Sequence, residues 1–299
     1  MKLSRINPVL WLAPLMLLVG FQSASAIPII RDLGAVWLAD YQTHFTAYDY
    51  NTYDYDPAPA YHYVGCGPTT GAMILNYFQN HFSATGLMEA GGGLATAQTL
   101  HGAAYMRTGL DGAADGFGSP YNIEPGMEGY ATSKGHTIDA VIHSSTTVDP
   151  GDATWGAYGP YGSSWNNDGI FWEYTGSVWG INDAQFYDYT ATRLAAGTPI
   201  FLTVDSDGDG GGDHWIPMVG VELGVYYYYN TWDLTLHSAT VASAYEGYQT
   251  FSITGVRTVE YVSGPGGGGD EEPIPEPGTL VLFGSGLAGL AGLRLRFRK

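Results

Sequence analysis

A single cysteine, Cys66, stands among 299 residues, in the run Gly65-Cys66-Gly67-Pro68-Thr69-Thr70. The proline suits the first turn of a helix, so the thiol falls at a helix N-terminus. There the positive end of the helix dipole and unpaired backbone N–H groups favour the thiolate, the nucleophilic form. The same amides are placed to stabilise an oxyanion formed beside the sulfur. From position alone two readings stand side by side: a nucleophile, or a small hydrophobe packed behind a helix. A second centre is the loop Asp205-Ser206-Asp207-Gly208-Asp209-Gly210-Gly211-Gly212-Asp213. Acidic side chains at alternate positions, with glycine for the turn, match the opening of an EF-hand-like calcium loop, and Asp213 falls at its ninth position. Oxygen ligands favour Ca2+ over transition metals. The twelfth position is Ile216 in place of the bidentate Glu, so an ion-free polar hairpin is the competing expectation.

Positioning these residues requires regular elements around them. Apolar periodicity and capping signals predict helices over residues 68–78, 94–106, 124–134 and 183–196, the last stopped by Gly197. Runs rich in β-branched and aromatic residues predict strands at 139–143, 199–204, 215–222, 225–229 and 248–254. Between 144 and 180 the composition shifts to Gly, Trp, Tyr and Asn, which reads as a loop-rich insertion with aromatics available to line a groove. Helices come first and strands later, an order that argues for α+β and against a parallel α/β sheet.

Both ends of the chain read as targeting signals. Lys2 and Arg5, an apolar run over 9–21 and Ala24-Ser25-Ala26 give a secretory signal peptide over 1–26. At the other end, a Gly-rich acidic linker (264–274) leads to Pro275-Glu276-Pro277, an apolar run over 280–293, and Arg294, Arg296, Arg298 and Lys299. An apolar segment followed by positive charge holds a tail in a membrane with its C-terminus inside. Segment 275–299 closely resembles the PEP-CTERM sorting signal of Gram-negative bacteria. That resemblance implies a transient inner-membrane anchor and an exosortase-type enzyme that removes it, after a signal peptidase has acted at the other end. It also implies a destination at the cell surface or in the extracellular polysaccharide.

Removing both ends, Glu276 among them, leaves Arg31, Arg107, Lys134, Arg193 and Arg257 against 28 acidic residues, a net charge of about −23. Such a surface repels nucleic acid and anionic membranes, and excludes nucleic-acid binding. Roughly 240 residues remain for the mature fold, enough for one large domain with a real core. An exported protein that relied on disulfides would have paired cysteines, so Cys66 is an unpaired thiol in an oxidising space.

Cys66-Gly67-Pro68-Thr69-Thr70, with Ala72-Met73 and Asn76-Tyr77, resembles the nucleophile helix of papain-like cysteine peptidases of the C39-like group. His214-Trp215-Ile216-Pro217-Met218-Val219-Gly220 resembles that group's His-bearing strand, and Tyr229-Asn230-Thr231-Trp232 the strand end bearing the third catalytic residue. The resemblance spans roughly 61–232 and implies a papain-like domain over 27–263, with N-terminal helices carrying the nucleophile packed on an antiparallel sheet that carries His and Asn. It implies Cys66 as nucleophile, His214 as general base and then acid, and Asn230 as the group orienting the imidazole. Asp233 is the alternative third member. The oxyanion hole would use the Cys66 backbone amide. Papain-like enzymes carry a Gln a few residues before the cysteine, and residues 57–63 contain none; the open alternatives are His62 as substitute, Gln42 arriving from further away, or an incomplete hole. Losing such a donor costs on the order of 10²–10³ in rate.

The expectation is therefore an exported cysteine peptidase-like hydrolase acting on peptide or protein substrates, with no cofactor required for the chemistry and Ca2+ as a stabilising ion. The alternative is a catalytically inactive acidic surface or extracellular-matrix binding protein.

Overall fold

The computed structural model describes residues 34–53, 63–106, 122–144, 165–166, 171–247 and 249–265. The expected signal peptide over 1–26, His62, all but the first two residues of the linker, and the 275–299 tail lie outside the described residues. After a short strand β1 (Val36–Trp37) and a one-turn helix α1 (Tyr41–His44) comes the long helix α2 (Cys66–His81). It starts two residues earlier than the proline predicts because Gly65, at φ 89°, makes the turn into it. That region is open to glycine without the Cβ clash other residues meet. Helices α3 (Gly92–His101) and α4 (Ile123–Ser133) follow. The first is shorter than predicted, because the chain turns extended at Gly102. Helix α5 (Asp183–Ala195) begins on an Asn182 side chain that accepts the Gln185 N–H, and the chain leaves it through Gly197 at φ 83°.

The strands are β2 (Thr137–Ser144), β3 (Trp165–Asn166), β4 (Trp172–Tyr174), β5 (Trp179–Ile181), β6 (Ile200–Asp205), β7 (His214–Glu222), β8 (Val225–Tyr229), β9 (Leu236–Thr240) and β10 (Ser252–Ser263). Their main sheet runs β3-β2-β10-β6-β7-β8-β9, with β1 paired to the far end of β7. Every pair in it is antiparallel except β2 with β3. Helices with a mostly antiparallel sheet make this an α+β fold. Strands β6 and β7 are buried along almost their whole length and read as continuous apolar runs. Strand β9 alternates exposed and half-buried at the sheet edge, and its Leu-His-Ser-Ala-Thr sequence carries no apolar alternation to predict it. The predicted strand at 248–254 begins instead at Ser252 and runs on to Ser263 in the middle of the sheet. The 144–180 stretch, read as loop, contributes β3 and the β4–β5 hairpin.

Helix α2 packs against β7 and α3, and two glycines allow the approach. A Cβ on Gly67 would lie 2.6 Å from the Trp215 indole, and one on Gly71 would meet Met106 and Leu100 within 3.0 Å. Behind Trp215 lies a buried polar chain. Its indole Nε1 donates to Thr203 Oγ1 at 3.0 Å. Arg257, from β10, donates to the same Thr203 oxygen and to Glu124 Oε1 of α4. Both charged residues are 1% exposed. Burial raises the Glu124 pKa, against the pull of the Arg257 guanidinium.

Candidate active site

Cys66 is the first residue of α2, His214 the first of β7, and Asn230 the first beyond β8. All three are buried, at 5%, 1% and 6% exposure. The start of α2 is tied to β7 beside His214, because Thr70 Oγ1 donates to the Trp215 carbonyl at 3.0 Å. The backbone amides of Trp215, Gly67 and Cys66 itself all reach the Cys66 sulfur. The sulfur therefore sits among first-turn amides of α2 and one strand amide adjacent to the histidine. These are the groups an oxyanion beside the sulfur would meet.

The histidine is oriented by Asn230. His214 Nε2 lies 3.0 Å from Asn230 Oδ1, and the Trp232 backbone N–H donates to that same oxygen at 3.2 Å. An N–H donor fixes Oδ1 as an acceptor, so Nε2 must be the protonated nitrogen of a neutral ring. The basic lone pair then belongs to Nδ1. Trp232, half-exposed, stacks on the imidazole with centroids 4.1 Å apart at 15°, and Phe251 meets it edge-on at 6.2 Å. Phe251 holds φ 61°, a conformation bulky residues avoid. Trp215 and Trp232 lie in the sequence motifs without a role assigned to them there, and Phe251 lies outside those motifs. Trp232 had a visible signal in its place two residues after Asn230, whereas Phe251 had none.

Asp233 takes no part in this arrangement. Its carboxylate accepts from the Thr235 N–H at 2.8 Å and lies 3.0 Å from His237 Nε2, on the rim and away from His214. Among the described residues, Asn230 is the side chain hydrogen-bonded to His214.

Burial dominates the electrostatics. It pushes the Cys66 thiol up to about 12, against the opposing pull of the amides of Trp215, Gly67 and Cys66. It lowers His214 to about 4, although the Asn230 hydrogen bond and the Asp213 carboxylate both act to raise it. Sulfur and imidazole are not hydrogen-bonded to each other. The resting pair is thus a neutral thiol beside a neutral imidazole, and the thiolate expected from the helix N-terminus is overturned by the cost of burying it.

The acidic loop leads straight into His214. Asp205, fully buried, accepts the N–H groups of Gly208 (2.7 Å) and Asp209 (3.1 Å) on Oδ1 and of Gly210 (2.7 Å) on Oδ2. Asp207 and Asp209 cap the amides of Asp209 and Gly211. Gly208 and Gly210 supply the positive φ values, 83° and 95°, that curl the loop. Carboxylate oxygens of Asp205, Asp207 and Asp209 come within 4.8 Å of one another. Asp213 is apart from them. Its two oxygens accept from Ser206 N and Oγ at 2.7 and 2.8 Å, clamping the base of the loop. The expected ligand set therefore shrinks from four residues to three.

Residues 273–299 match the family model of the PEP-CTERM protein-sorting motif. The chain carries a signal for export and sorting to the cell surface, of the kind recognised by exosortase-type enzymes. Among the described residues no helix is long and apolar enough to cross a membrane. No curated protein and no solved structure matches the chain.

Proposed function

We propose that this protein is a surface-sorted cysteine hydrolase of papain-like, C39-like type that cleaves peptide bonds. The observation that supports it best is the pair of donors on Asn230 Oδ1, which leaves His214 neutral with Nδ1 as its basic atom beside the start of α2. In the proposed reaction a peptide carbonyl docks against the Cys66 amide. His214 Nδ1 takes the thiol proton as the sulfur attacks the carbonyl carbon, so charge develops only once the substrate is bound. Collapse of the tetrahedral adduct breaks the C–N bond, and His214 returns the proton to the leaving amine. Water, deprotonated by the same nitrogen, then attacks the thioester and releases the acid and the free thiol. No metal takes part. Ca2+ is proposed only as a stabiliser of the loop before His214, held by Asp205, Asp207 and Asp209, whose convergence supports it.

Turnover of a broad peptide library by the exported chain tests this reading. Cys66→Ser and His214→Ala should each lower hydrolysis by on the order of 10²–10⁴-fold with the fold retained. Cleavage that persists in both variants, or is absent from the wild-type chain, would sink it. One observation favours the catalytically inactive acidic binding module instead: the thiol is closed in, pushed up to about 12 and not bonded to His214. On that reading no variant of Cys66 or His214 alters any activity.

A further inference from the structure

The far end of α2 carries a second cluster of chemistry-bearing side chains. His81 is the last residue of that helix; Asp40 is the N-cap and His44 the last residue of the single turn α1, which packs on it. One ligand atom from each of Asp40, His44 and His81 comes within 4.8 Å of the other two. The Nδ1 atoms of both histidines are buried and have no hydrogen-bond partner. His81 Nδ1 lies 3.4 Å from Asp40 Oδ2, within ion-pair reach but too long for a strong hydrogen bond. Buried ring nitrogens are ordinarily hydrogen-bonded, so two that are not, in histidines clustered with one carboxylate, need an explanation.

We infer that Asp40, His44 and His81 form a binding site for a divalent transition metal ion, with Zn2+ the fitting ion. Two imidazoles and one carboxylate are borderline donors that suit zinc, and a three-residue set leaves one position open to water. Asp40 is the exposed member, its side chain 62% accessible, and keeps that position in contact with solvent. Zinc bonds of ~2.0–2.2 Å place tetrahedral donors ~3.4 Å apart, so about an ångström of side-chain movement closes the site. The surroundings already orient the ligands. Tyr77 stacks on the His81 ring at 5.0 Å, and Asn80 Nδ2 donates to the His44 carbonyl at 3.0 Å. Gly197 leaves the space that His81 needs, since a Cβ there would lie 2.8 Å from Nε2. Cys66 and His81 are the first and last residues of the 16-residue helix, roughly 22 Å apart at ~1.5 Å per residue. The ion would pin the N-terminal segment to the end of the helix that bears the thiol, without entering its chemistry.

Zn2+ titrated into the exported chain by calorimetry tests the site, in a Cys66→Ser background that removes the thiol and with excess Ca2+ to block the acidic loop. One ion per chain is expected, with affinity lowered more than ~10-fold by each of Asp40→Asn, His44→Gln and His81→Ala. Co2+ should give visible d–d absorption that His44→Gln alters. Should His81→Ala fail to fold, His44→Gln and Asp40→Asn on the partly exposed turn carry the comparison. Absence of stoichiometric Zn2+ binding, or binding and Co2+ absorption unchanged by His44→Gln and Asp40→Asn, overturns the assignment.

Discussion

Two charged regions flank His214, and they treat charge in opposite ways. Behind the strand, Glu124 and Arg257 are buried together with Thr203 and the Trp215 indole. Ahead of it, four aspartates crowd a nine-residue loop whose outer carboxylates, Asp207 and Asp209, face solvent. The buried pair has no water to fall back on, so each partner is indispensable to the other. The loop carboxylates are held by backbone N–H groups of the loop itself and by Ser206, and solvent screens what repulsion remains. The first region fixes where the Cys66 helix meets β7. The second only shapes the approach to His214, and for that reason it can accept a cation without being built around one.

Breaking the buried Glu124–Arg257 pair should have the largest effect. Glu124→Ala strands the Arg257 guanidinium in the core and is expected to cost about 3–5 kcal/mol, read by urea unfolding. A loss below 1 kcal/mol would mean that water reaches the pair. Next comes the titration of His214. Its folded pKa, about 4, is depressed below the ordinary ~6.5. Below pH 6.5 the unfolded chain therefore takes up the proton first, and stability falls as pH drops from 6.5 through 4. This histidine contributes a slope of up to ~1.4 kcal/mol per pH unit, and unfolding measured across that window should be flatter in His214→Gln. Removing calcium from the loop should matter least. EGTA is expected to lower Tm by ~2–4 °C, equivalent to ~1 kcal/mol for a domain of this size, and Asp207→Asn should abolish that sensitivity. Identical melting with and without EGTA would show that backbone amides suffice to hold the loop.

The sequence made the elements around the site readable where one local cause governs them. Strand β8 and the start of α5 fall where composition and capping put them, and β7 begins only one residue early, at His214. Elements set by tertiary context escaped. Strand β9 is a polar edge held by its pairing with β8, and β10 contains Arg257, which breaks the apolar pattern of a central strand until its partners are known. The contact between His214 and Asn230 follows from a sixteen-residue separation that β7 and β8 close. The protonation of Cys66 was not legible. A helix N-terminus is visible in Gly65-Cys66-Gly67-Pro68, but the degree to which Trp215 and the core enclose the sulfur is a property of the packed molecule.

That enclosure bears on how long the sulfur survives outside the cell. Peroxide and disulfide chemistry attack the thiolate, climbing from sulfenic to irreversible sulfonic acid. A thiol held up near 12 exposes almost no thiolate at neutral pH. With no other cysteine in the chain to resolve a sulfenic acid and no cytoplasmic reductant at hand, slow oxidation is the protection available to it. Low resting reactivity is then what lets an unrepaired protein age slowly at the surface.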